Sequence, residues 1–265
     1  MISEQIDHLV SPCRDALARG LIRVGLRPNH VTVVGMLLTV GAGVAIAAGE
    51  AHWRAWAVSL IVAAGAADLL DGAMAKVGNL RTPFGATLDS ICDRVGDAAL
   101  YLGATFYFMT AALGRGDAAP RPNLTLAVLS AAGLVWAYLV SYIRARAGAE
   151  VPGALAGGGF WQRPERVVTL ILGLAFHHLP TAAWILGTLP LTTVALRIWR
   201  SKRVLSEETL GNDDPRGLLG IVLWRHRRGT VPFDIYAGAV ILTCVLVDVP
   251  AADPLGRLVA WWVGA

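Results

Sequence analysis

Apolar residues run in seven stretches, at about residues 31–49, 55–75, 86–113, 123–143, 165–177, 180–199 and 234–249, broken by short polar and basic connections. A helix needs roughly 20 residues to cross a 30 Å hydrocarbon core, and the fifth and seventh stretches are short by that measure. The pattern predicts an all-α integral membrane bundle, with a six-span core over residues 28–200. Residues 201–265 hold a basic loop and leave room for an additional C-terminal membrane segment. Residues 1–27 read differently. Ile6, Leu9, Val10, Leu17, Leu21 and Val24 recur at helical spacing with Arg14, Arg19 and Arg23 between them, which predicts an amphipathic helix lying on the membrane surface. An ordinary packed helix would carry the same pattern. The tail from Leu255 to Ala265 is too short to span and reads as an aromatic interfacial anchor.

Composition agrees. Of the 265 residues 55% are hydrophobic and 16% charged, and the mean hydropathy is +0.56, too apolar for an ordinary soluble domain. Nineteen of the 23 Lys and Arg fall on one side of the expected spans, which assigns that side to the cytoplasm. The formal charge of +4 is therefore a topology signal and points to no nucleic-acid partner. Cys13, Cys92 and Cys244 are far apart and in no ligand spacing. The N-terminal stretch lacks the apolar core of a signal peptide, so the apolar segments are expected to remain as spans.

The chemistry concentrates where the second apolar stretch meets the third. Asp68 and Asp71 are spaced i, i+3, and Asp89 and Asp93 i, i+4, so each pair shares a helix face. The turn from Asn79 to Pro83 lets the two helices run antiparallel and bring those faces together. Gly72 and Gly85 allow close helix approach and leave room for a ligand beside the acids. Even one charged residue near a span centre costs roughly 2.5–3.5 kcal/mol. Divalent metal compensates such a group, and carboxylate oxygens suit two hard ions, Mg²⁺ or Mn²⁺. A structural ion-pair network with Lys76, Arg81 and Arg94 is one alternative, though it has no need of the glycines. A cation-coupled transporter is another, but it would disperse its acids at mid-membrane depth.

This stretch resembles the signature of the CDP-alcohol phosphotransferase family, Asp-x-x-Asp-Gly-x-x-Ala-Arg followed after about eight residues by Gly-x-x-x-Asp-x-x-x-Asp. Asp68, Asp71, Gly72, Ala75, Gly85, Asp89 and Asp93 match in identity and spacing, and Lys76 stands where the family has Arg. Lys keeps the charge but loses the bidentate fork. The resemblance covers about residues 28–200, beginning at Pro28-Asn29-His30-Val31-Thr32. It implies a membrane homodimer with two metal ions held by Asp68, Asp71, Asp89 and Asp93. Gly72, Ala75, Lys76 and Gly85 then face a CDP-activated lipid donor, CDP-diacylglycerol, and Asp93 is the general base on an acceptor alcohol. Ser141 to Arg146, Gly158-Gly159-Phe160 and Arg163-Pro164-Glu165-Arg166 resemble the phosphatidylinositol-phosphate synthases of that family, which implies inositol phosphate as acceptor. Glycerol phosphate is the alternative acceptor for the same chemistry.

Arginines at the ends of later segments fit a phosphorylated acceptor. Arg144, Arg146, Arg163, Arg166 and Arg197 fall on the same side as the acids, and arginine suits a phosphate dianion. Arg163 and Arg166, at i, i+3, share a face, and with Arg144 and Arg197 they form the expected acceptor pocket. As topology charges they would instead touch lipid headgroups, the simpler reading for most of Arg200 to Arg228. His177-His178 reads as an interfacial turn, and Trp184, Trp199, Trp261 and Trp262 as interface aromatics.

Overall fold

The computed structural model describes residues 2–49, 51–110, 123–151, 159–205, 231–247, 249 and 253–263. Among them there are helices and turns and no strand. Arg115, Arg121, Gly158, and the basic stretch with Arg216, Arg225, Arg227 and Arg228 lie outside the described residues, as do the side chains of Ile6, Leu9 and Val10. The chain divides into two compact units, Met1–Tyr107 and Phe108–Ala265.

The first unit holds α1 (Ile2–Arg23), α2 (Pro28–Ala48), α3 (Ala51–Val77) and most of α4 (Pro83–Thr110). Pro28 opens α2, where its missing N–H costs nothing, and Gly49 closes it with φ 77°. The αL turn at Gly49 lets α3 fold straight back along α2. A Cβ at Gly43 of α2 would overlap the backbone of Ala99, and one at Gly103 would overlap the backbone of Gly43. The α2–α4 crossing thus runs backbone on backbone. Helix α1 lays Ala18, Leu21 and Ile22 against Ala73 and Met74 of α3 and Val31 of α2, while Leu17 and Val24 are exposed.

The second unit holds α5 (Leu124–Glu150), α6 (Arg163–Ala175), α7 (Leu179–Thr188), α8 (Pro190–Leu205), α9 (Val231–Leu246) and α10 (Pro254–Val263). Helix α5 packs on α7 and α8, and α6 on α7. The apolar stretch at 180–199, read from the sequence as one span, falls within the candidate span Leu179–Leu205, whose two helical segments meet at a one-residue irregularity at Leu189. Pro190 is the reason, because it has no N–H to return to the preceding turn. Four helical segments among the described residues are long and apolar enough to cross a membrane: Pro28–Ala48, His52–Val77, Leu124–Glu150 and Leu179–Leu205. Helix α4 has the length but carries Asp89, Asp93, Arg94 and Asp97, and α6 has only 13 residues.

The C-terminal helices belong to the second unit's fold. His178 Nδ1 lies 2.9 Å from the carbonyl of Cys244 in α9. The Thr181 hydroxyl donates to Val247 O at 2.8 Å and accepts from Val249 N at 3.0 Å. Asp253 then serves two helices at once. It accepts the amides of Leu124 (3.2 Å) and Thr125 (2.9 Å) at the start of α5 and the Thr125 hydroxyl at 2.6 Å. It also accepts the Gly256 amide of α10 at 3.0 Å. The next amide of α5, Leu126, is capped locally by Asn123 at 2.9 Å, so the first turn's orphan donors are satisfied.

Burial disfavours the charged Asp253, but these hydrogen bonds outweigh it and hold the carboxyl below its ordinary range. A carboxyl with a depressed folded pKa contributes stability above its unfolded value, and that contribution is lost as pH falls through the folded one. Asp253→Ala is expected to destabilise the purified protein by about 1–2 kcal/mol at neutral pH. In thermal unfolding, the gap between wild type and variant should be constant above about pH 5 and close below about pH 4.

Candidate active site

Three helix ends of the first unit meet around one cavity. The end of α3 comes first. Asn79 takes a left-handed conformation, φ 52°. Leu80 N then bonds Ala75 O at 3.0 Å, and Asn79 N bonds Lys76 O at 3.4 Å, the paired bonds of a Schellman stop. Two residues later Thr82 caps α4, its hydroxyl accepting the Gly85 amide at 2.9 Å, with Pro83 as the first helical residue. A stop and a start this close set the last turns of α3 beside the first turns of α4.

That juxtaposition assembles the acids. Oxygens of Asp68, Asp71 and Asp89 all lie within 4.8 Å of one another, with Asp71 buried, Asp89 half-buried and Asp68 exposed. Helix α2 contributes the orienting contact: Thr32 donates a 2.6 Å hydrogen bond to Asp71 Oδ2. Asp93 falls outside this trio. It lies 3.9 Å from Arg94, which also pairs with the buried Asp97 at 3.4 Å. The structure therefore brings together three of the four acids singled out by spacing.

Beside the trio opens a cavity of about 270 Å³. Asp71, Asp89 and three of the four residues expected to face a donor, Gly72, Ala75 and Gly85, line it. The fourth, Lys76, is exposed and is not among the lining residues. The two glycines differ in role. A Cβ on Gly72 would stand in open space, so its absence leaves room beside Asp71; one on Gly85 would press on Thr82 Oγ1 (3.0 Å) and Asn29 Oδ1 (3.2 Å). Sequence reading missed Asn29, Thr32, Arg81 and Thr82, which also line the cavity. Asn29 and Thr32 were legible only as the entry to a span, and Arg81 only as a turn charge. With α2 and α4 both presenting N-termini, the cavity suits an anion as well as a cation.

The donor set fits a hard divalent ion: all ligand atoms are carboxylate oxygens, close enough to share a cation.

The remaining predicted residues lie in the second unit. Arg166 and Arg197 are buried, at 3% and 5% exposure. Arg166 Nη1 donates to Trp161 O at 3.0 Å, and Arg197 Nη1 donates to Val140 O. Arg144 and Arg166 are near enough to Arg197 to act on its charge. Arg163 is half-buried one turn before Arg166. Arg146 pairs with Glu150 at 2.5 Å on the surface. His177 takes φ 63° in a turn.

A helical membrane protein with a carboxylate trio beside an anion-ready cavity falls in the class of metal-assisted enzymes acting on a phosphorylated, membrane-borne substrate. Residues 26–199 match the CDP-alcohol phosphatidyltransferase model, and the chain belongs to that family: it is a membrane transferase of phospholipid biosynthesis. It is 37% identical over 192 residues to the phosphatidylinositol phosphate synthase of Mycolicibacterium smegmatis, covering 69% of this chain and 80% of that one. It is 31% identical over 191 residues to the synthase of Corynebacterium glutamicum, covering 69% and 81%. The crystal structure of the Mycobacterium tuberculosis phosphatidylinositol phosphate synthase with CDP-DAG bound is similar at TM-score 0.61 and 30% identity, over 71% of this chain and 92% of that one. The same enzyme's complex with manganese and citrate also has TM-score 0.61 at 30% identity, covering 71% and 88%.

The Thr32–Asp71 bond makes a prediction that needs no substrate. Thr32→Val should weaken Mn²⁺ binding about ten- to hundredfold, the usual cost of losing a partner that orients a ligand, whereas Thr32→Ser should retain it. Titration calorimetry or Mn²⁺ electron paramagnetic resonance on the donor-free protein reads the difference.

Proposed function

We propose that this enzyme transfers a phosphatidyl group from CDP-diacylglycerol to inositol phosphate and releases CMP. The observation that carries the reading is the Asp68–Asp71–Asp89 trio on a cavity bordered by Gly72, Ala75 and Gly85, within the residues that match the family. The 37% identity to a phosphatidylinositol phosphate synthase supports that acceptor over glycerol phosphate.

Asp68, Asp71, Asp89 and Asp93 hold two divalent ions, Mg²⁺ or Mn²⁺, which neutralise charge on the diphosphate as CMP leaves. The protein's residues do the rest. The open space at Gly72 admits the diphosphate beside Asp71, and the N-termini of α2 and α4 add favourable dipoles. Arg81 borders the same cavity and supplies positive charge to the donor phosphates. Lys76, at the family's arginine position, assists as a point charge. Arg144, Arg163, Arg166 and Arg197 bind the acceptor's phosphate. Asp93 takes the proton of the acceptor hydroxyl, the oxygen bonds to the phosphatidyl phosphorus, and the bond from that phosphorus to CMP breaks. The product stays in the bilayer.

The same reading places six spans in the cell membrane with α1 on the cytoplasmic surface, the active site facing the cytoplasm, and two copies forming a homodimer. The 19-to-4 division of basic residues supports the orientation.

Purified enzyme supplied with CDP-diacylglycerol should release CMP with inositol phosphate, and poorly with free inositol or glycerol phosphate. Chelation should abolish the release, and Mg²⁺ or Mn²⁺ should restore it. Equal use of free inositol would exclude the acceptor assignment, and full activity in chelator would exclude the metal. A second outcome tests the base: Asp93→Asn should keep measurable CDP-lipid binding by equilibrium titration while losing turnover at least a hundredfold.

A further inference from the structure

Helix α9 lies beyond the residues that match the family, yet its first turns meet the segment that anchors one of the buried arginines. Phe160 and Trp161, which precede α6, are 3% and 1% exposed. Their rings stack edge to face at 5.0 Å between centroids. From α9, Phe233 approaches Phe160 at 5.1 Å. Tyr236 meets Phe160 edge-on at 4.5 Å and Trp161 at 6.4 Å. These are the separations at which aromatic rings attract one another beyond simple burial.

The opposite side of the same segment is held by α8. Trp161 N donates to Thr193 Oγ1 at 3.2 Å. Gly159, at φ 84°, admits only a residue without Cβ, because a Cβ would overlap the Thr193 side chain. Thr193 stands one turn before Arg197 on α8. The carbonyl of Trp161 in turn accepts Arg166 Nη1 at 3.0 Å. Residues 159–161 are therefore a strap pinned between α8 and α9, and the Trp161 carbonyl of the strap accepts from a buried guanidinium.

We infer that Phe233 and Tyr236 of α9 are positioning residues for the acceptor: by clamping Phe160 and Trp161 they fix the carbonyl that orients Arg166, so the C-terminal helix sets acceptor affinity. A buried arginine is useful to a phosphate only if its planar fork is pre-aimed, since the side chain otherwise spends rotamer entropy on each hydrogen bond. The Trp161 carbonyl aims it through the 3.0 Å bond from Nη1. The inference rests on the reading of Arg166 as a ligand of the acceptor's phosphate.

Full-length enzyme tests it through the split between the two substrates. Tyr236→Leu keeps apolar volume but removes the ring, and should raise the KM for inositol phosphate about five- to tenfold, the scale of a lost aromatic pair. The KM for CDP-diacylglycerol and kcat at saturating acceptor should stay within about twofold of wild type. Tyr236→Phe, which retains the ring, should raise that KM less than Tyr236→Leu does, and Phe233→Leu should match Tyr236→Leu. A purely structural role predicts another pattern, in which less active protein is recovered and both KM values are unchanged; that result overturns the inference. Arg166→Lys separates this failure from failure of the site itself. If Arg166→Lys raises acceptor KM and Tyr236→Leu does not, the clamp is wrong and the acceptor site stands. If Arg166→Lys leaves acceptor KM unchanged, the site reading falls. With both correct, adding Tyr236→Leu to Arg166→Lys should raise KM by less than the product of the single effects, because both act on one contact.

Discussion

Like charges packed within 4.8 Å repel, and most of the first unit's architecture can be understood as holding three carboxylates together in spite of that. Two are on α3 and one is on α4, so their separation is set by the turn between those helices. The Schellman stop at Asn79 and the Thr82 cap fix that turn from both sides. Helix α2 adds the Thr32 bond to the most buried of the three, Asp71. Farther along, α2 and α4 cross at Gly43 and Gly103 with backbone against backbone, which sets the spacing of those two helices.

The second unit handles the opposite charge with a different device. Arg166 and Arg197 are nearly inaccessible, and each donates to a main-chain carbonyl. A carbonyl accepts from the guanidinium and so directs its planar fork. The first unit thus gathers carboxylates and the second gathers guanidinium groups, each on helices.

Much of this was legible in the sequence because it depends on local spacing. Helical periodicity placed the acid pairs on shared faces, Gly72 marked open space beside Asp71, and Gly85 marked a close approach to Thr82 and Asn29. The same reasoning grouped Asp93 with the others; Arg94, weighed from the sequence as an ion-pair partner for the acids, stands beside Asp93 and pairs with Asp97, whose burial no spacing reports. Thr32 was invisible as a partner of Asp71 because the two are 39 residues apart and a lone threonine in an apolar helix carries no pattern. The irregularity at Leu189 was signalled by Pro190, and the stretch remains one candidate span across it. The membership of α9 and α10 in the second unit rests on rings, hydroxyls and one carboxylate meeting helices far away in sequence, which no periodicity reports.

Asp253 has a consequence for the order of events during synthesis. The amide of Thr125 at the start of α5 finds its carboxylate 128 residues later. While the ribosome is still making α6 to α9, α5 has only the cap it carries itself, from Asn123. Its first turn is completed once Asp253 has emerged and docked. A chain that stops short of Asp253 therefore keeps the local Asn123 cap on α5 but leaves the amides of Leu124 and Thr125 without the carboxylate that receives them.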